Sequence, residues 1–405
     1  MYLPDQIWEW LLTKVGYGAA PLILGVLGFV AYSAVRFAWR QLRRLWGFFS
    51  SRQRALRAVE REHPKDGPRE GKGLWLTNPI TPPENYESNI GKPIVLVVAN
   101  HKGGVGKTTL SANIGAFWAK EWNKRVLLMD LDFQGTLSAM ALRAGNWLPP
   151  RGQDSLATRT ISGDLEPSLF VTCAREVLQE TKLKIVPAYY DLAQADNRLI
   201  VEWLLQSKPA RTGSFFKFMR DRLYGNALKL QDIRFNLAEL LQSRSVRQEF
   251  DVIIIDCPPR LTTGAVQALC AGSHLLVPTI LDQPSAEAVV AFLEEIEGLK
   301  KGNVCPHLKY VGIVGTMTSP NINLVAEVAA KTLISDALRD KKLPTGLLGD
   351  NEFVRHSATF VNNSEDGIAY LVAGNAQRQQ AAKQAIERLA TYVAGQIGLP
   401  PPQAF

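Results

Sequence analysis

Apolar positions along the chain come in short unbroken runs separated by stretches of helical spacing. The runs are IVLVVAN at 94–100, RVLLMD at 125–130, LKIVPAYYD at 183–191, FDVIIID at 250–256, HLLVPTI at 274–280 and YVGIVGTM at 310–317. Runs of this length without polar alternation predict strands buried on both faces, as in a parallel sheet. TLSANIGAFWAKEW at 109–122, SAEAVVAFLEEIEGL at 285–299 and LVAEVAAKTLISDAL at 324–338 instead carry apolar residues at helical spacing. A last long helix is expected at about 369–397. Strands and helices alternating in this order predict an α/β fold with a doubly wound, mostly parallel sheet.

The N-terminal pattern is different. Residues 15–35, VGYGAAPLILGVLGFVAYSAV, contain no charge, and about twenty such residues span a bilayer core. The arginines follow this run, together with Trp39, Trp46, Phe48 and Phe49. The expected organisation is a short external N-terminus at 1–14, a transmembrane helix at 15–36 and a basic juxtamembrane helix at 37–62. By the positive-inside rule this is a single-pass protein of the inner (cytoplasmic) membrane, with its N-terminus outside and the remainder cytoplasmic. A cleaved signal peptide would need a positive start, which Asp5 and Glu9 do not provide. A buried core helix rarely lacks charge for so long. Residues 63–91 are rich in Pro and Gly without a sustained period and read as a linker. The folded domain then occupies 92–398, with a basic insert at about 205–235 and a tail at 399–405.

Charge refines this picture. The net charge of the 405 residues is +8, yet residues 36–62 hold eight Arg against Glu60 and Glu62. The high pI thus describes one segment rather than a basic globule, and does not by itself argue for nucleic-acid binding. Four scattered cysteines, Cys173, Cys257, Cys270 and Cys305, have no C-x-x-C spacing and read as free thiols in a reducing compartment. The five histidines form no metal-binding pattern.

The chemistry sits where the first strand ends. HKGGVGKTTL at 101–110 joins that strand to a helix, the context of a phosphate-binding loop. Gly103, Gly104 and Gly106, around Val105, let backbone N–H groups turn toward an anion. Lys107 is placed to neutralise β/γ-phosphates and the Thr108 hydroxyl to ligate Mg²⁺. Asp130, Asp132 and Gln134 follow the second strand, and Asp256 ends the FDVIIID run, a place from which it could hold Mg²⁺. Taken alone, D-x-D-x-Q is weak evidence and reads more readily as a turn. His101 occupies the place where such loops normally begin with Gly, and Lys102 is an additional lysine ahead of the glycines.

KGGVGKTT at 102–109, DLDFQG at 130–135 and DVIIIDCPP at 251–259, in that order, resemble the deviant Walker A ATPases of the partition and division-positioning type, ParA and MinD. The similarity extends over about 92–398. It implies a SIMIBI-type P-loop NTPase fold, ATP and Mg²⁺ as cofactors, and an ATP-dependent homodimer. It further implies that Lys102 reaches the other subunit's phosphates, Lys107 holds the phosphates of its own subunit, and Thr109 lies close to the α-phosphate. Asp132 would orient the attacking water, and Thr108 and Asp256 would hold Mg²⁺. The local alternative for Lys102 is a solvated loop lysine.

Phe133 stands where the family often has Pro, and His101 where Gln is frequent. Both could slow hydrolysis without removing ATP binding. The resemblance implies an activating protein partner, ParB-like in partition systems. Non-specific DNA could be bound through 208–234, where Lys208, Arg211, Lys217, Arg220, Arg222, Lys229 and Arg234 face two Asp. A solvated surface or a protein contact is the alternative for that segment. The expected function is an anchored ATPase that dimerises on ATP, is reset by hydrolysis, and positions or recruits a partner complex or DNA. A nucleotide-gated scaffold with incidental hydrolysis is the alternative. A polysaccharide-type tyrosine kinase fits poorly, because only Tyr370 and Tyr392 follow residue 360.

Overall fold

The computed structural model describes residues 73–76, 80–84, 86–146, 155–206, 232–318, 324–355, 357, 359–360, 366–374 and 376–402, and toward the N-terminus 9, 13, 29–30 and 32–42. Among the described residues eight strands form one sheet: β1 Ile94–Val98, β2 Val126–Asp130, β3 Arg175–Glu176, β4 Leu183–Val186, β5 Val252–Asp256, β6 His274–Ile280, β7 Lys309–Thr318 and β8 Val354–Arg355. Their order across the sheet is β3-β4-β2-β5-β1-β6-β7-β8. Every pairing is parallel except that of β3 with β4. All five residues of β2 and of β5 are buried, because helices cover both faces of a parallel sheet. The register sets Val98 and Asp130 each opposite Asp256. Three strands therefore end level, which brings the residues after β1, β2 and β5 to one edge.

The helix Lys107–Lys120 covers the middle of the sheet. It approaches closely at Gly115, where a Cβ would lie 2.7 Å from Leu128 Cδ2. Its Trp118 is fully buried, and the indole Nε1–H donates to Ala390 O at 3.2 Å on the final helix, Gln377–Ile397. The helix Gln283–Lys301 starts after β6 with Asp282 as its N-cap, and Ser155, Ser243 and Thr262 cap shorter helices in the same way. The expected single helix at 369–397 is two helices, Ala369–Val372 and Gln377–Ile397, with Gly374 in the break.

The N-terminal expectations need correction. Among the described residues no helix is long and apolar enough to cross a membrane. Of the run expected to span at 15–36, residues 15–28 lie outside the described residues. The continuous described helix, 32–42, is about 16 Å long against roughly 30 Å of hydrocarbon. It also carries Arg36 and Arg40. The single-pass inner-membrane localisation is accordingly withdrawn. Residues 43–62 of the expected juxtamembrane helix lie outside the described residues.

Part of the expected linker packs on the domain. Trp75, in the turn Leu74–Leu76, is buried and stacks on Trp203 with ring centroids 5.8 Å apart. Tyr86 is buried against Phe235 and His307, and its hydroxyl donates to Cys270 O. Thr81 N–H donates to Asp232 Oδ2 at 3.2 Å. These contacts lie at the N-terminal ends of the strands, opposite the loop that follows β1.

Arg234 also departs from expectation. It was grouped with the basic surface of 208–234, but it is fully buried. Its Nε–H donates to Asp232 Oδ1 at 2.8 Å, an Nη1–H donates to Trp75 O, and the guanidinium lies 5.0 Å from the Trp203 ring centroid. A charge is stable there because its partner sits two residues away on the same turn and the ring faces its plane. Lys208, Arg211, Lys217, Arg220, Arg222 and Lys229 lie outside the described residues.

Candidate active site

The turn after β1 takes its shape from two residues no neighbour in sequence would suggest. Asn100 is buried; its Nδ2–H donates to Pro278 O at 2.8 Å and its Oδ1 accepts the Lys102 N–H. Thr316, at the end of β7, donates its hydroxyl to Val105 O at 2.9 Å. Gly104 and Gly106 adopt φ of +73° and +83°, which L side chains rarely take. Gly103 and Gly104 are exposed at the tip, while Val105 is buried beneath them. Gly106 is the N-cap of Lys107–Lys120 and supplies no side-chain cap. Its first amides and the positive end of its dipole thus face outward at the glycine turn, a ready site for an anion.

Lys107 is buried, and its Nζ donates to Lys102 O at 3.0 Å, across the mouth of the turn. Burial lowers its pKa, and the charge of Asp256 is the largest effect opposing that shift. Thr109 packs lower on the helix, its carbonyl accepting from Asn113 Nδ2 at 2.7 Å. The Thr108 hydroxyl donates to Asp256 Oδ2 at 2.7 Å. Asp256 Oδ1 is buried and has no hydrogen-bond partner among the described residues. Burial, followed by the charge of Asp130, raises the Asp256 carboxyl well above its ordinary range. An unpartnered carboxylate oxygen beside a hydroxyl is an arrangement a hard divalent cation satisfies. Thr108 and Asp256 therefore fit Mg²⁺, with the phosphates of a nucleotide supplying further oxygens. Among the described residues no group of three or more His, Cys, Asp and Glu side chains is placed to hold a metal ion.

Asp130 acts as a brace. Its Oδ2 accepts the N–H and hydroxyl of Ser138, and its Oδ1 accepts the Asp132 N–H at 3.0 Å. Burial pushes its carboxyl up to about 7. Asp132, half-buried, accepts the Gln134 N–H on Oδ1 at 3.0 Å, closing the turn before Gly135. Its charge is felt by both Lys107 and Asp256.

Lys107, Thr108, Asp132 and Asp256 thus come together, and the glycines lie above them. Lys102 points elsewhere. Its Nζ donates to Ser285 Oγ at 2.6 Å and to Asp282 Oδ1 at 3.3 Å, at the start of Gln283–Lys301. His101 packs edge-on to Phe292 with Nε2 3.3 Å from Glu295 Oε2, and burial lowers its pKa. Sequence reasoning missed Asn100, Thr316, Asp282 and Ser285; a polar residue ending an apolar strand, as at Asn100 and Thr316, is the local signal that could have found two of them.

The model for the CobQ/CobB/MinD/ParA nucleotide binding domain matches residues 96–345. The chromosome partitioning protein ParA of Myxococcus xanthus is 32% identical over 238 residues, 58% of this chain and 68% of that protein. The sporulation initiation inhibitor protein Soj of Bacillus subtilis is 26% identical over 254 residues, 62% of this chain and 82% of that protein. Apo McdA of Cyanthece shares the fold with a TM-score of 0.54 at 17% identity, over 74% of this chain and 99% of that chain. The septum site-determining protein MinD of Pyrococcus horikoshii, solved with Mg-ADP, gives a TM-score of 0.50 at 18% identity, over 76% and 98%. With the match covering well over half its length, the chain belongs to the CobQ/CobB/MinD/ParA nucleotide-binding family.

Proposed function

We propose that the protein is a ParA-like ATPase that binds Mg-ATP at the turn after β1, pairs with a second copy in the ATP state, and is reset by hydrolysis. The output is the positioning or recruitment of a partner complex or of DNA. The observation carrying this reading is the Thr108–Asp256 hydrogen bond of 2.7 Å beside an uncapped helix start, with Asp256 Oδ1 left unpartnered. Gly103, Gly104, Val105, Gly106 and Thr109 would wrap the phosphates, with Lys107 neutralising them. Thr108 and Asp256 would hold Mg²⁺, and bound Mg²⁺ would offset charge on the transferred phosphoryl group. Asp132 would orient the attacking water. Lys102 would leave its own protomer and reach the partner's phosphates, a charge supplied in trans like an arginine finger. The name of the Myxococcus xanthus relative, a chromosome partitioning protein, supports partitioning as the process.

The test is ATP turnover of the full chain with and without Mg²⁺, beside Lys107→Ala. Mg-dependent phosphate release that Lys107→Ala abolishes together with ATP binding is the expected result. Equal nucleotide affinity in the two proteins would refute the assignment of the site.

A further inference from the structure

We propose that Arg260 is a positioning residue for hydrolysis: its guanidinium, lying against the Phe133 ring, ties the turn that carries Asp132 to the segment that follows Asp256. The inference rests on the reading of Asp132 as the carboxylate that orients water.

Three neighbouring strands meet here. Phe133 follows β2, Tyr190 follows β4 and Arg260 follows β5, and these strands lie side by side in the sheet. The Arg260 Cζ is 6.0 Å from the Phe133 ring centroid, and the Tyr190 ring meets Phe133 edge-on at 6.4 Å and 80°. Phe133 is half-buried and packs on the hydrophobic core, whereas Tyr190 is 71% exposed and Arg260 is exposed. The ring thus has a cation on one side, an aromatic edge on another and the core beneath.

Arg260 is itself restrained. Pro258 and Pro259 fix the backbone between Asp256 and Arg260, and Arg260 O accepts the Thr262 N–H at 3.0 Å. Its charge also acts on Asp196, whose Oδ1 accepts the Gly264 N–H at 2.9 Å. Arg260 further lines a small cleft with Asn100, His101 and Cys257, beside the phosphate turn. One residue therefore links the segment after Asp256 to the ring that adjoins Asp132.

Such a link matters because the hydrogen bonds of Asp132 among the described residues all lie within its own turn. Its N–H donates to Asp130 Oδ1, its Oδ1 accepts the Gln134 N–H and its carbonyl accepts the Gly135 N–H. A water-orienting carboxylate loses rate when its position spreads by a fraction of an ångström. A ring at Phe133 clamped by Arg260 restricts that spread, and proline at this place could offer no such face.

The test is steady-state ATP turnover of the full chain and of Arg260→Met, Arg260→Lys, Phe133→Leu and the double variant Arg260→Met/Phe133→Leu. An exposed cation–aromatic contact corresponds to about a two- to fivefold change in rate. Each apolar single variant should lower kcat by that factor with KM for Mg-ATP unchanged. The double variant should be no slower than the slower single variant, and Arg260→Lys should recover most of the loss. If Phe133→Leu does not fold, Phe133→Tyr keeps the ring and should remain sensitive to Arg260→Met. Multiplying effects in the double variant, or a raised KM with unchanged kcat in Arg260→Met, would overturn the inference while leaving the ATPase reading intact. A parent protein without turnover would overturn the ATPase reading and this inference with it. Parent-like turnover of Asp132→Ala would remove the premise that Asp132 orients water, and the inference with it.

Discussion

Lys102 is held within its own chain. Its Nζ lies 3.3 Å from Asp282 Oδ1 and 2.6 Å from Ser285 Oγ. A lysine that must reach a second subunit has to leave both. The side chains of Lys102 and Asp282 are 31% and 44% exposed, so their attraction is that of a surface pair, about 0.5–1 kcal/mol. The proposed dimer releases two such pairs, about 1–2 kcal/mol in all, or roughly five- to thirtyfold in its dissociation constant. Asp282→Asn isolates this term. Asn is also a good N-cap, so the start of Gln283–Lys301 keeps its bond to the Ser285 N–H. The variant should dimerise more tightly with ATP by that factor, measured by sedimentation equilibrium in an Asp132→Ala background that prevents turnover. Rising salt should shrink the difference, because an exposed ion pair is screened. Lys102→Ala should keep ATP binding and lose the dimer. If Asp282→Asn dimerises no better than its parent at low salt, release of Lys102 is not a cost of assembly.

Asp132→Ala removes the proposed water-orienting group and leaves the phosphate turn intact, so turnover should fall on the order of 10²-fold or more while ATP affinity holds. Arg234→Ala would leave Asp232 buried without its partner and should lower stability by about 3–5 kcal/mol in denaturant unfolding, with Trp203 fluorescence reporting the loosened stack. Burial lowers the His307 pKa to about 4, below the ordinary value of 6.5. Its neutral ring therefore contributes stability that is present above about pH 6.5 and is lost as pH falls through about 4. Thermal melts should show a smaller loss between pH 7 and 4 for His307→Gln than for the parent.

The strands that build the site were legible because each is an apolar run stopped by a polar residue: Asn100 lies two positions past the end of β1, and Asp130 and Asp256 end β2 and β5. Level ends are a matter of register, and parallel pairing across 126–256 leaves no mark in a local pattern. β3 and β8 have two residues each, too few to carry a period. The packed part of the linker was missed because single aromatic residues, Trp75 and Tyr86, hold it through partners more than a hundred positions away. Arg234 read as surface charge because burial depends on Asp232, Trp75 and Trp203 converging. The last helix was read as continuous because Ala369–Val372 keeps helical spacing up to Gly374, which marks the break only in retrospect. The partners of Lys102 lie about 180 residues downstream, so its resting position could only come from the folded chain.

The stacked pair Trp75–Trp203 has a mechanical consequence. Trp203 lies near the end of the helix Asp191–Gln206, and Tyr190 stands immediately before its start. Sixteen residues make a rod about 24 Å long. One end bears on Phe133, next to Asp132, and the other on the first packed residues of the N-terminal segment. Asp232, which accepts the Thr81 N–H and pairs with Arg234 beside the Trp203 ring, lies at that same far end. The turns that carry Trp75 and Asp232 are thus held at one pole of this helix, while Tyr190 at the other pole bears on Phe133. A load applied to either turn reaches the helix whose other end abuts the turn that carries Asp132.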